Sequence, residues 1–129
     1  MPHIHIEYSA NLDGAVDMGT VCEAIRAAAA GIEAFPMPGI RVRAIRVDHV
    51  AMADGDPKHG FVDLSVRLRA GRSDAVKSDA LAKIFAALET AMTPVLAARS
   101  VALSAEIRDI DAGLSLKSGN VRDHLEEAQ

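Results

Sequence analysis

The chain has no tryptophan, one tyrosine and three phenylalanines among its 129 residues. Its core must therefore be assembled from Ala, Val, Ile, Leu and Met, and side chains of that size suit helices packed closely on a sheet. A single cysteine, Cys22, excludes an internal disulfide framework, and with it comes the expectation of a reducing, cytoplasmic setting. Cys22 falls in a helical pattern, where a thiol reads as a small core residue. No run approaches about 18 uninterrupted apolar residues, so a membrane span is not expected. The N-terminus shows no sequence of basic segment, apolar segment and cleavage site, so neither is a secretory leader. Interleaved basic and aromatic residues are also lacking, and with a net charge of −4 nothing points to a nucleic acid partner.

Half of the residues are hydrophobic and a quarter are charged, the balance of one globular domain spanning 1–129 with a polar tail from about residue 117. Ile4, Ile6 and Tyr8 alternate with His3, His5 and Glu7, the period of a strand. After the turn cluster Asn11-Leu12-Asp13-Gly14, Val21, Ile25 and Ala28 or Ala29 recur at helical spacing over 16–30, and Gly31 offers a stop. Ile40 and Val42 alternate with Arg41 and Arg43, but the apolar positions then change parity to Ile45 and Val47, which predicts a bulge or bend. The turn Asp54-Gly55-Asp56-Pro57 precedes a third strand over 61–69. Ser73 can cap a second helix with an apolar stripe of Val76, Ala80, Ile84, Leu88, Met92 and Val95 with Phe85 and Leu96, which Pro94 should kink or restart near its end. Val101, Leu103, Ala105 and Ile107 alternate as a fourth strand.

The spans between the first and second strands and between the third and fourth are nearly equal, and each holds one helix. The pattern predicts an α/β (α+β) fold: two consecutive β-α-β units forming a four-stranded mixed sheet with two helices on one face. The opposite face then needs cover, and strands apolar on both sides would invite oligomerisation.

Proline at position 2 is the residue with the most chemistry in it. Its ordinary role is to start an edge strand. If Met1 is removed, however, the chain begins with a secondary amine, and an α-amino group of pKa roughly 7.7–8.0 is a competent base near neutral pH. Burial or nearby cations would lower that value further.

Several short motifs join this proline in order along the chain: Met1-Pro2-His3, Gly39-Ile40-Arg41-Val42-Arg43, Met52-Ala53-Asp54-Gly55, Ala70-Gly71-Arg72-Ser73, Ala102-Leu103-Ser104 with Glu106-Ile107, and Asn120-Val121. Together they resemble the 5-carboxymethyl-2-hydroxymuconate Δ-isomerase family of the tautomerase superfamily, in register from the N-terminus to about Val121. Departures lie in the composition of the first helix, in Pro94 and in the acidic tail after Val121, away from the matched polar positions. The resemblance implies a tautomerase-like homotrimer in aromatic compound catabolism, downstream of ring cleavage of homoprotocatechuate. It also implies Pro2 as the catalytic base, Arg72 and Arg41 as substrate-binding arginines with Arg43 as a further candidate, and neither metal nor cofactor.

These residue types suit such chemistry on their own terms. Moving a proton from an enol oxygen to a distant carbon of a conjugated acid needs a group that accepts it and gives it back, which a near-neutral amine does. A guanidinium both orients a carboxylate and stabilises charge spreading toward it. Arg72 sits just before the expected start of a helix, where free backbone N–H groups add partial positive charge. Other enzyme readings on the same proline are dehalogenation or decarboxylation of a smaller unsaturated acid; a non-catalytic oligomeric binding protein of this fold is the reading outside enzymes. His3, His5 and Glu7 share a strand face and are ligand types for zinc or iron, though simple alternation produces the same spacing. His49, His59 and His124 lie in unrelated segments. Asp13, Asp17, Asp54 and Asp56 read as turn or cap residues, and Arg67 and Arg69 as solvated strand positions.

Overall fold

A computed structural model of the chain describes residues 1–125; Glu126 and Glu127 of the acidic tail lie outside that range. The alternation at the N-terminus forms β1 (His3–Ser9), and the helical spacing after it forms α1 (Met18–Ala30). Asp17 caps α1, its carboxylate accepting from the Gly19 N–H at 2.9 Å. Gly31 ends the helix at φ −87°, an ordinary right-handed conformation, so the stop does not depend on the freedom of glycine. The chain returns as β2 (Arg41–Val47), crosses to β3 (Gly60–Arg69), rises through α2 (Asp74–Ala98) and closes with β4 (Val101–Ile110). Ser73 caps α2 by accepting from the Val76 N–H at 3.2 Å.

The strands lie in the order β2-β1-β3-β4, with β1 parallel to β2, β3 parallel to β4 and the two central strands antiparallel. Two β-α-β units thus meet back to back through β1 and β3. One sheet face carries Ile4, Ile6, Val62, Leu64, Val66 and Leu68, all fully buried. Val21, Ile25 and Ala29 of α1 and Ala80, Ile84, Leu88, Met92 and Val95 of α2 belong to the same hydrophobic cluster. Full burial of each Leu or Ile stabilises the fold by about 1.5–3 kcal/mol, so this one face supplies most of the driving force. Val76 and Leu96, expected in the α2 stripe, are 41% and 42% exposed and fall off its buried side.

Three expectations are corrected. β2 pairs with β1 without interruption from His3–Arg41 to Ser9–Val47, so there is no bulge. The parity change has another cause: Val42 and Ala44 sit on the helix side, while Ile45 and Val47 sit on the open side. Pro94 does not restart α2, which runs through it unbroken. The missing N–H falls in the last turns on a solvated side, and the Thr93 hydroxyl donates to the Glu89 carbonyl at 2.9 Å beside it. The open face is also less apolar than expected. His5, Glu7, Arg43, Asp63, Ser65, Glu106 and Arg108 lie on it, with Ile45 and Phe61 nearer its ends. His5 Nε2 is buried there without a hydrogen-bond partner, 3.8 Å from Glu7 Oε1.

At the rim where β1 ends and β3 begins, buried Ser9 donates to Asn11 Oδ1 at 2.7 Å and accepts from the Phe61 N–H at 2.9 Å. Asn11 Nδ2 in turn donates to the carbonyls of Pro57 and His59. Ser9→Ala removes the acceptor and leaves that N–H unsatisfied, and it should cost about 1–3 kcal/mol. Leu64→Ala opens a cavity at the centre of the sheet and should cost about 2–5 kcal/mol. Urea denaturation at one fixed protein concentration checks both, and equal, negligible losses would contradict this account of the core.

Candidate active site

The pairing of the strands decides which side chains surround the amino terminus. His3 stands opposite Arg41 on one side and opposite Arg67 on the other, because β1 lies between β2 and β3. The Arg41 N–H donates to the Pro2 carbonyl at 3.3 Å, holding the first residues of the chain against the start of β2. Pro2 is buried and precedes Ile4 and Ile6 on the helix side, whereas Met1 and His3 are partly exposed, His3 alternating toward the open side. Gly39 lets the chain come this close: a Cβ at that position would lie 3.0 Å from Met1 Cα and 3.2 Å from Pro2 Cδ. Met1 is in place in this structure, so the free amine belongs to Met1 and the Pro2 nitrogen is an amide.

Two cavities flank Met1. One, of about 200 Å³, is lined by Met1, His3, Arg69, Ser115 and Lys117 with Ile110, Ala112 and Leu116. The other, of about 380 Å³, is bounded by Met1, the Pro36–Gly39 turn, Arg41, Lys117 and Arg122. Neither wall contains an aspartate or glutamate. A larger depression of about 610 Å³ lies elsewhere, beside Tyr8 at the start of α1. Asp13 and Asp17 line it, so it repels anions and is a poor place for an acid.

The electrostatics at the amino terminus run one way. Burial first, and then the positive fields of Lys117, Arg72, Arg69 and Arg41, hold the Met1 amino group below the usual α-amino range. His3 is lowered by burial and then by Arg67, Arg41 and Arg43. Its Nδ1 lies 3.4 Å from Arg43 Nη1. A guanidinium can only donate, so Nδ1 is the acceptor and the ring proton sits on Nε2.

Elsewhere on the surface, most cations have carboxylate partners, as Arg26 with Glu23, Arg46 with Asp13 and Asp48, Lys77 with Asp74 and Asp109, and Arg108 with Glu106, while Arg99 donates to the Asn11 carbonyl. Among the described residues, Arg41, Arg43, Arg67, Arg69, Arg72, Lys117 and Arg122 form no ion pair. Apart from Arg99, the unpaired cations of the described residues thus gather near the amino terminus of a net-acidic chain, the arrangement of an anion site.

The sequence-predicted residues do not all play the same part in this geometry. Pro2 and Arg41 adjoin one another through the backbone, and Arg41 lines the larger cavity, whereas buried Pro2 lines neither. Arg43 is one alternation farther along β2, engaged with His3, and lines neither cavity. Arg72 also lines neither: its guanidinium donates to the carbonyls of Ala34 at 2.9 Å and Arg69 at 3.1 Å, and its charge reaches the amine through space. Arg69, taken from sequence as a solvated strand position, is in a cavity wall, and Lys117, assigned to a polar tail, borders both cavities. Only knowledge of the strand order β2-β1-β3-β4 brings these two to the amino terminus. His3, His5 and Glu7 do not converge; among the described residues no three His, Cys, Asp or Glu side chains group as metal ligands. Cys22 is half-buried, and burial raises its thiol pKa, which disfavours the reactive thiolate.

The family model of 5-carboxymethyl-2-hydroxymuconate isomerase matches residues 2–125. The 5-carboxymethyl-2-hydroxymuconate Delta-isomerase of Escherichia coli is 31% identical over 121 residues, covering 94% of this chain and 96% of that protein. A crystal structure of a 5-carboxymethyl-2-hydroxymuconate delta-isomerase aligns with a TM-score of 0.90 and 33% identity, over 100% of this chain and 95% of the other. The Deinococcus radiodurans R1 isomerase aligns at 0.88 and 31%, over 98% and 95%. A fused 4-OT symmetric trimer, 17% identical with a TM-score of 0.57 over 84% and 85% of the two chains, shares the fold. The open sheet face, the proline at the head of β1 and the cations gathered there thus occur in a chain that belongs to the 5-carboxymethyl-2-hydroxymuconate isomerase family.

Proposed function

We propose that the protein is a cofactor-independent isomerase that moves a proton within an unsaturated hydroxy- or oxo-polycarboxylate. The first substrate to assay is 5-carboxymethyl-2-hydroxymuconate, the compound for which its relatives are named, and the proposed setting is homoprotocatechuate catabolism in the cytoplasm. The observation that carries this reading is the field of cations without carboxylate partners among the described residues, which lowers the pKa of the Met1 amine and would act likewise on a Pro2 amine exposed at that place.

With Met1 removed, the base is the imino nitrogen of Pro2. It takes the proton from the enol oxygen, the electron pair spreads through the conjugated chain as a dienolate, and the same nitrogen returns the proton to the distal carbon. The two C=C bonds of the dienol become one C=C and one C=O, and nothing is oxidised overall. Arg41 holds the carboxylate nearest the base. Arg72, fixed by its two carbonyl acceptors, keeps the amine unprotonated and favours the negative charge that develops; Arg43 acts on His3 and contributes least. Residues 1–129 act as one domain, and three copies assemble as a homotrimer. The buried, unpartnered His5 Nε2 and the exposed Leu114 and Leu116, at 88% and 102%, support burial against a second copy.

Intact mass should show mature protein without Met1, and methylation of its amino terminus should abolish the ultraviolet change that follows conjugation. A chain that retains Met1, purified and confirmed by mass, should be inactive; full turnover by it excludes Pro2 as the base. Arg41→Ala and Arg72→Ala should each lower kcat/KM by about 10²- to 10³-fold, the scale of losing one oxyanion-stabilising donor, while Arg43→Ala changes it far less.

The pH profile carries a sign. A base must be unprotonated, so kcat/KM rises with pH through the amine's pKa. Cations that lower that pKa move the rise to lower pH, and Arg72→Ala should therefore displace the acidic limb to higher pH. A limb that stays in place or moves down would show that Arg72 does not act on the amine.

A further inference from the structure

The two cavities beside Met1 differ in what they offer. The larger presents Arg41 and Arg122; the smaller presents Arg69, the His3 ring and the Ser115 hydroxyl; Lys117 borders both. We infer that Arg69 and Lys117, with His3, form a second subsite beside Met1, separate from Arg41, that holds one carboxylated arm of the ligand. This rests on the active-site reading above, in that the reacting part of the ligand lies at the amine between the two subsites.

Met1 lines both cavities, so its side chain is the partition between them. Pro2 itself is buried behind Met1 and lines neither cavity, so removal of Met1 is what would expose its nitrogen to them. At about 200 Å³ the smaller cavity falls short of the roughly 300–1,000 Å³ usual for a whole small-molecule ligand, and suits one carboxylated arm. Its remaining wall is apolar, formed by Ile110, Ala112 and Leu116, which lowers the local dielectric and strengthens attraction between a carboxylate and the two cations. His3, its proton on Nε2, adds a neutral donor without the cost of a further buried charge.

A purely solvated role for Arg69 and Lys117 fits poorly. Most solvated cations on this molecule, such as Lys83 with Asp79, sit in ion pairs, and among the described residues these two do not. Lys117 also comes from a stretch with little else to hold it. Among the described residues no hydrogen bond involves 115–119, so nothing else in the segment's bonding dictates where that ammonium lies.

Calorimetric titration of mature protein at low salt tests the subsite without requiring turnover. The probes are butanoate, pentanedioate and propane-1,2,3-tricarboxylate. The parent should bind the diacid and triacid about 10- to 100-fold more tightly than the monoacid, the range for an added charge-assisted contact. Arg69→Gln should erase most of that preference and leave butanoate affinity unchanged; Lys117→Gln, whose ammonium also borders the Arg41 cavity, should weaken the diacid and triacid more than butanoate, while Lys117→Arg retains the preference. Thermal melting verifies that each variant is folded. A parent without preference, glutamine variants that keep it, or equal loss of all three acids would overturn the inference. If no candidate substrate is turned over but the binding preference and its loss are observed, the isomerase reading fails and the subsite stands.

Discussion

The hydrogen-bonded register of β1 between a parallel and an antiparallel neighbour is the constraint on which the rest depends. A slip of one residue on either side would carry the apolar set of β1 away from the helices, so burial of Ile4 and Ile6 enforces the register strongly. The same register places His3 between Arg41 and Arg67. Core packing and site geometry are therefore not separate achievements. The ladder that hides the apolar side chains also delivers the arginines to the amino terminus, and the reversal between the two β-α-β units brings the end of β3 to the beginning of β1.

Gathering like charges has a cost that the fold must absorb. Arg41, Arg69, Arg72 and Lys117 all act on one amino group, and no described carboxylate is paired with any of them. Their repulsion disfavours the compact chain until an anion arrives, while the same field attracts acids to a protein whose net charge would otherwise repel them. Stability and ligand affinity are consequently linked, since an anion that binds only the folded state stabilises it by mass action. Arg72 lessens the strain on the arrangement by donating to two backbone carbonyls, which fixes a charge in position without neutralising it.

Much of the fold was legible in the sequence because its signals are local. Period-two alternation marked all four strands, Ser73 announced the cap of α2, and the repeated spacing revealed the paired units. The β2 parity change was misread because a sequence shows only that apolar residues switch faces, and Ile45 and Val47 look the same whether the backbone bulges or the other face is partly apolar. Pro94 was overweighted for a similar reason: near the solvated end of a long helix its missing donor is easily accommodated. Pro2 and Arg41 could be found from their motifs. Arg69 and Lys117 could not, because their nearness to the amino terminus is a matter of strand order and of the path after β4, neither of which leaves a periodic trace.

The lack of hydrogen bonds along 115–119 has a consequence for how this chain can change over generations. Replacements there disturb neither a ladder nor the buried cluster, so selection on folding is nearly blind to them. The base is held by a strand that tolerates little; the bordering stretch is free to drift. Preference among acids can diversify in this chain by altering a few codons outside Lys117, whose charge also acts on the amine.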